Sequence, residues 1–105
     1  MSPSEAPPYS VWGVPRRAAA EWHVLIRSLA VVRTVACETG DPAAWWPEVR
    51  HMNSPATRRA VEACRHCPAA GPCLAYAVAA DERFGIWGGT TPAERRAMRW
   101  LAAEP

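Results

Sequence analysis

The sequence predicts an all-α fold, a small bundle of about four helices. Apolar residues recur at helical spacing in one segment, proline-containing helix starts precede later segments, and no run alternates convincingly between apolar and polar residues. The chain has 105 residues, and much of its apolar fraction is alanine, so we expect a small core that needs reinforcement by disulfides or a metal centre. Four cysteines are available for that purpose, so we expect the helices to be organised around a cysteine site.

The first segments are an arm and an amphipathic helix. Residues 1–14 contain several prolines and no apolar period, which predicts a flexible N-terminal arm ahead of a single domain at 15–105. From Arg16 to about Thr34 the spacing predicts a helix. Its apolar stripe consists of Trp22, Leu25, Ile26, Leu29 and Val32.

Three further helices follow a loop after Cys37. Asp41-Pro42 predicts one short helical turn inside that loop, and Ser54-Pro55 predicts a helix over 55–64. A third helix is expected over 74–83, where the glycines of "FGIWGG" end it. Thr91 and Glu94 match a capping box, which predicts a last helix from 92 to about 102.

The cysteines have the spacing C-x26-C-x2-C-x5-C, formed by Cys37, Cys64, Cys67 and Cys73. A C-x2-C pair lets two thiolates converge on one centre, and five more residues let the chain arc around it. Structural zinc sites usually contain two such pairs, whereas one pair with a lone fourth cysteine is more typical of an iron-sulfur cluster. The Cys67-Pro68 step points the same way, so spacing favours a 4Fe-4S cluster and leaves zinc as the alternative.

Thiol chemistry is a third interpretation of the same residues. Cys64 and Cys67 would suit a protein disulfide reductase if one thiolate had a depressed pKa. The βαβ pattern that accompanies such a motif is missing from this sequence. Isolated histidines are mostly surface or core residues, and four cysteines already complete a site, so we assign no ligand role to His23, His51 or His66.

Tryptophans accompany the cysteines on both sides. Trp45 and Trp46 lie in the loop between the first and second cysteine, where they would cover a metal centre from solvent or simply fill the core. Pro68, which follows Cys67, is expected in the same shell around the centre. Trp87 lies in a turn made by Gly85, Gly88 and Gly89, which suits a binding hot spot. The alternative is a turn tryptophan that folds back onto its own core.

Taken together, Cys37, "DPAAWWPE", "CRHCPAAGPC" and "GIWGGTTPAERR" resemble the WhiB-like family of actinobacterial and actinophage transcription regulators. The resemblance implies a 4Fe-4S cluster held by Cys37, Cys64, Cys67 and Cys73 and sensitive to oxygen and nitric oxide. It also implies a partner, the C-terminal domain of the primary sigma factor, with Trp87 in the contact. No enzymatic activity is expected.

Charge and hydropathy limit the other roles. The net charge is +2, with no lysine and no basic tail, which is weak support for autonomous DNA binding. Arg95, Arg96 and Arg99 share the last helix and would reach promoter phosphates if sigma factor held the protein beside DNA. No leader or membrane span is evident, so we expect a cytoplasmic protein.

Overall fold

The structure, a computed structural model, describes residues 13–32 and 34–103 and the side chains as far as residue 99. Within this part the chain is helical and contains no named strand; an isolated bridge joins Trp87 and Thr90. The α-helices are α1 (Ala19–Ala30), α2 (Ala36–Thr39), α3 (Pro42–Trp45), α4 (Pro55–Arg65), α5 (Ala70–Ala80) and α6 (Pro92–Ala103). Single 3-10 turns occur at Arg16–Ala18 and Val49–His51. The predicted all-α class is confirmed.

None of the described helices has the length and apolar character that crossing a bilayer requires.

The N-terminal part of the domain packs on α5. Val14 is buried in the core, so the domain begins before residue 15; residues 1–12 of the expected arm lie outside the described residues. Arg17 donates from Nε to the Ala79 carbonyl at 3.1 Å and from Nη2 to the Ala80 carbonyl at 2.8 Å. These carbonyls end α5 and have no partner within that helix, so Arg17 caps it from another segment.

The first predicted helix is shorter than expected, because α1 ends at Ala30 and not near Thr34. One face of α1 packs against α5 with Leu25 buried. Ile26, which the stripe placed on the same face, is exposed.

Three helix starts agree with the sequence. The Asp41 side chain accepts from the Ala43 amide at the start of α3, and the Ser54 hydroxyl accepts from the Thr57 amide at the start of α4. At the start of α6 the capping box forms in both directions: the Thr91 amide donates to Glu94 at 3.0 Å, and the Glu94 amide donates to the Thr91 hydroxyl at 3.3 Å. Each bond satisfies a backbone N–H that the helix itself leaves without a partner.

The third predicted helix is displaced. α5 begins at Ala70 and ends at Ala80, whereas the expected range was 74–83. Gly71 and Pro72 sit in its first turn, where a proline costs no intrahelical hydrogen bond. Asp81 ends the helix in a left-handed conformation with φ 57°. Cys73 therefore lies on a helix, and Cys37 lies on α2, a short helix that the sequence did not predict.

Two small core clusters flank the cysteines. One is built from Val14, Ala18, Leu25, Ala69, Tyr76 and Ala80, and the other from Trp45, Ala60, Cys64 and Ile86. Alanines supply much of both, so the helices approach closely but bury little apolar volume. A cavity beside these clusters, lined by the cysteines, is the site described next.

Candidate metal centre

The structure brings all four cysteines to one cavity. Cys37 comes from α2, Cys64 from the last turn of α4, Cys67 from the link between helices, and Cys73 from the first turn of α5. Their side chains line a cavity of about 250 Å³. All four thiols are free in this structure.

The chain turns around the cavity in successive backbone hydrogen bonds. The Cys67 amide donates to the Cys64 carbonyl at 3.0 Å, which closes the C-x2-C step, and the Ala70 amide donates to the Cys67 carbonyl at 3.0 Å. The Cys73 amide then donates to the Ala69 carbonyl at 2.9 Å within the start of α5. These bonds set the backbone spacing of the three cysteines.

The rest of the wall is almost entirely apolar. Glu38 is the only acid that lines the cavity among the described residues, and no described histidine does. Apolar side chains provide the remaining side-chain surface: Trp22, Leu25, Leu29, Val35, Trp45, Trp46, Ile86 and Trp87, with Ala69, Ala70 and Gly88 beside them. A dry shell of this kind excludes water from a bound inorganic centre and tunes its reactivity.

The spacing of the thiols bears on the choice between zinc and a cluster. In the described part of the chain, no group of three or more His, Cys, Asp or Glu side chains is placed to hold a single metal ion. A structural zinc ion draws four thiolates to about 2.3 Å from one point, which leaves no cavity between them. In a cubane cluster each thiolate binds a different iron, so the sulfurs stand apart around a larger core. Four cysteines that line one cavity are a donor set that a cluster can use, and the choice between a cluster and zinc stays a prediction.

Burial disfavours thiolate formation at two of these cysteines. It is the main cause that raises the pKa of Cys73 to about 11, opposed by a hydrogen bond from the Gly88 backbone. Partial burial also raises the pKa of Cys37, followed by the nearby Cys64 and Glu38. The disulfide reductase interpretation uses Cys64 and Cys67, so the shifts at Cys37 and Cys73 do not test it.

Trp45 occupies the cavity wall as the sequence predicted, and it does more than cover it. Its indole N–H donates to the Cys64 sulfur at 3.1 Å, with the two residues 8% and 9% exposed. Its carbonyl accepts from the Ile86 amide at 2.7 Å. A Cβ at Gly40 would overlap the Trp45 ring, so this glycine makes room for the indole.

The two other residues predicted to cover the site behave differently. Trp46 lines the cavity but is 55% exposed, and its ring meets Trp87 edge-on with centroids 6.0 Å apart. Pro68 is exposed and does not line the cavity, so its predicted covering role is wrong. Pro68 faces outward because the chain curves around the thiols here, and the thiols lie on the inner side of that curve.

The glycine turn packs on the segments that carry the cysteines. Gly85, Gly88 and Gly89 have φ of 82°, 55° and 75°, values that favour glycine. A Cβ at Gly88 would overlap the Ala70 carbonyl oxygen, and one at Gly89 would overlap the side chain of Arg65. The turn therefore lies against the end of α4 and the start of α5.

Trp87 folds back onto the protein. Its indole N–H donates to the Phe84 carbonyl at 3.0 Å, and its ring lies 5.5 Å from that of Tyr76. The residue is partly buried against the first core cluster. Trp87 therefore packs partly on its own core, its ring also meets that of Trp46, and its role in binding a partner stays a prediction.

Arg95 corrects a sequence-based expectation. It is 2% exposed, and burial lowers the pKa of its guanidinium. Its donors are engaged by the segment that contains the turn, so it cannot reach a DNA phosphate. The acceptors are the carbonyls of Glu82, Phe84, Gly85 and Thr90 and the Thr90 hydroxyl. The capping motif does not predict that Arg95 is buried, because an arginine in the first turns of an amphipathic helix normally faces water.

The two other arginines of α6 lie at the surface. Arg96 is exposed, and Arg99 is exposed and forms an ion pair with Asp81. Asp81 also pairs with Arg83 at 3.6 Å. Of the three predicted phosphate contacts, Arg96 and Arg99 therefore stay predictions.

Fold and site define a class: a small helical protein whose four cysteines enclose an apolar cavity beside a glycine-tryptophan turn. The family model described as transcription factor WhiB matches residues 32–98, which include all four cysteines and the turn. The chain belongs to the WhiB family of transcription factors.

Curated relatives support this assignment. Transcriptional regulator WhiB2 of Mycolicibacterium smegmatis is 44% identical over 63 residues, covering 60% of this chain and 46% of the relative. Transcriptional regulator WhiB of Streptomyces coelicolor is 43% identical over 66 residues, covering 63% and 71%. Transcriptional regulator WhiB2 of Bifidobacterium longum is 37% identical over 93 residues, covering 82% and 90%. The chain thus spans less than half of the Mycolicibacterium smegmatis relative. No solved structure matches this chain significantly.

Proposed function

We propose that this WhiB-family transcriptional regulator binds one 4Fe-4S cluster through Cys37, Cys64, Cys67 and Cys73 and acts by binding the C-terminal domain of the primary sigma factor. The observation that carries the proposal is the convergence of four thiols on one apolar cavity. The relatives are named transcriptional regulators, which points to a role other than catalysis.

The cavity wall supports the choice of cofactor. When bound, a 4Fe-4S cluster supplies a centre that reacts with oxygen and nitric oxide. The chain's own residues determine how far such molecules enter: Trp45 and Ile86 close one side, and Leu25 from α1 closes another. Cys37 is the most exposed of the four thiols, so we expect reagents to approach from the α2 side.

Two contacts connect the turn to the segments that carry the cysteines. The Gly88 backbone lies beside the Cys73 sulfur, and the Ile86 amide donates to the carbonyl of Trp45, whose indole N–H in turn donates to the Cys64 sulfur. The turn therefore rests on two segments whose positions the thiols would fix once they share a centre. Releasing the thiols would loosen the contact between turn and helices, which is how a change at the site would reach the partner surface.

Exposed apolar side chains flank that turn. Trp46 is 55% exposed, and its ring lies close enough to Gly85 that a Cβ there would overlap it. Phe84, 75% exposed, precedes the same glycine. The rings of Trp46 and Trp87 meet edge-on, and Phe84 precedes Trp87 by three residues in the same turn. Aromatic residues of this kind are enriched at the energetic centres of protein interfaces. We therefore extend the predicted sigma-factor contact from Trp87 to Trp46 and Phe84.

Promoter DNA is a secondary contact in this proposal. Arg96 is exposed on α6, the helix that Arg95 fixes against the turn. A protein bound through the turn would carry this arginine to the surface of the complex. One or two cations add a position-dependent and salt-sensitive increment to the affinity for DNA. They do not by themselves hold a protein on DNA.

The experiment is a binding titration of the purified C-terminal domain of the primary sigma factor. Protein prepared without oxygen is compared with the same protein after exposure to nitric oxide and with apo-protein kept reduced. We expect the cluster-loaded form to bind at least about tenfold more tightly than the other two, a difference of about 1.4 kcal/mol. Equal binding by all three forms would remove the sensing role, and no binding by any form would remove the partner.

A further inference from the structure

We propose that Trp45 sets the reduction potential of the bound cluster by donating its indole N–H to the Cys64 thiolate. The inference rests on the proposed function, because it requires that Cys64 be a cluster ligand. Trp45 acts through Cys64 and is in this sense a positioning residue: it holds one hydrogen-bond donor against one ligand sulfur.

The donor is fixed from three sides. The indole nitrogen lies 3.1 Å from the Cys64 sulfur in a buried contact, within the range of a hydrogen bond to sulfur. The backbone of Trp45 is tied to the turn by the 2.7 Å bond from the Ile86 amide. On its far side the ring fills the space that Gly40 leaves open. A side chain held in this way keeps its donor in place whether or not the sulfur carries a proton.

The direction of the effect follows from charge. Adding one electron to the cluster increases the negative charge shared with its thiolates, and an N–H dipole aimed at a sulfur stabilises that charge. The contact is buried, so the dipole is weakly screened. With the donor present, reduction is easier and the potential is higher; without it, the potential falls.

A purely structural role would give the opposite sign. If Trp45 only kept water out, a smaller side chain would admit solvent, and water dipoles also stabilise the more negative reduced state. Loss of covering therefore raises the potential, whereas loss of the hydrogen bond lowers it. The sign of the shift separates the two roles.

The test replaces Trp45 with phenylalanine, which keeps an apolar ring and has no N–H. The matched control is Trp46→Phe, the same substitution in the adjacent residue, which lines the same cavity and contacts Trp87 through its ring. Iron and sulfide are measured first, and the midpoint potential is then determined by optical or EPR titration without oxygen. We expect a more negative potential in W45F than in wild type, and no such fall in W46F.

The outcomes separate the two proposals. Wild-type protein without iron and sulfide would end the cluster proposal. A loaded W45F protein whose potential equals or exceeds that of wild type would overturn the tuning role and leave the cluster proposal intact.

Wild-type protein provides a second test if W45F does not fold. Tryptophan labelled with 15N at the indole nitrogen should give a hyperfine coupling to the reduced cluster in pulsed EPR, and the coupling should persist in W46F. Absence of any such coupling would also overturn the role of Trp45.

Discussion

Replacing Arg95 with methionine should destabilise this protein more than any other change on α6. Methionine retains an unbranched apolar stem but removes the whole guanidinium. In the native protein Nη1 donates to the Thr90 carbonyl at 2.8 Å and Nη2 to the Gly85 carbonyl at 2.9 Å, both in buried positions. Nε donates to the Glu82 carbonyl, and Nη2 also donates to the Phe84 carbonyl; both of these bonds are only partly buried.

The magnitude follows from the two buried carbonyls. The Gly85 carbonyl is left without a partner, which costs about 1 to 3 kcal/mol, whereas the Thr90 carbonyl keeps the Trp87 amide at 3.2 Å and loses one bond worth about 1 kcal/mol, so the total is about 3 kcal/mol. The partly open carbonyls regain water and add little. A small domain has a stability of roughly 5 to 15 kcal/mol, so this loss is a large part of it, and the melting temperature should fall by about 15 °C.

Thermal unfolding of the protein purified without oxygen measures the effect at a fixed scan rate. Arg96→Met is the matched control, because Arg96 is the exposed neighbour on the same helix and its removal should cost less than about 0.5 kcal/mol. Arg95→Lys keeps the charge but loses the planar fork, so it should fall between wild type and R95M. If R95M melted together with R96M, the role of Arg95 in fixing the turn would be refuted.

Three further changes have defined effects. Gly88→Ala forces a Cβ onto the Ala70 carbonyl oxygen at a left-handed φ and should cost about 2 kcal/mol or more in urea unfolding; a wild-type midpoint would contradict the close packing. Ser54→Ala removes the α4 cap and should cost about 1 kcal/mol in the same assay, whereas no loss would mean that the cap adds nothing. Phe84→Ser should weaken sigma-factor binding by about tenfold at unchanged iron content; full affinity would place the interface elsewhere.

Local signals in the sequence predicted the helix starts well. Asp41, Ser54 and Thr91 each precede a proline, and a polar cap followed by proline has few other stable conformations. The start of α5 was missed because Gly71-Pro72 resembles a loop, although both residues are tolerated in a first helical turn. The short helix α2 was missed because four residues give no period to detect.

The cysteines of the site were predictable, but their supporting contacts were not. Spacing alone grouped Cys64 with Cys67 and Cys73, and the structure confirms that these side chains and Cys37 line one cavity. The bond from Trp45 to Cys64 joins residues 19 apart on different helices, so no local pattern encodes it. Burial of Arg95 likewise depends on where the turn at 82–90 lies, which no local pattern predicts. The sequence indicated only a charged residue on a helix, and such residues usually lie at the surface.

Native mass spectrometry of the folded protein, purified without oxygen, tests the central claim most directly. The account predicts an added mass of four irons and four sulfides per chain. It also predicts that this mass is lost when Cys64 is replaced by serine and retained when His66, an exposed neighbour, is replaced by alanine. A single zinc ion, or a chain lighter by two protons with one disulfide, would contradict the claim that these four thiols enclose an iron-sulfur cluster.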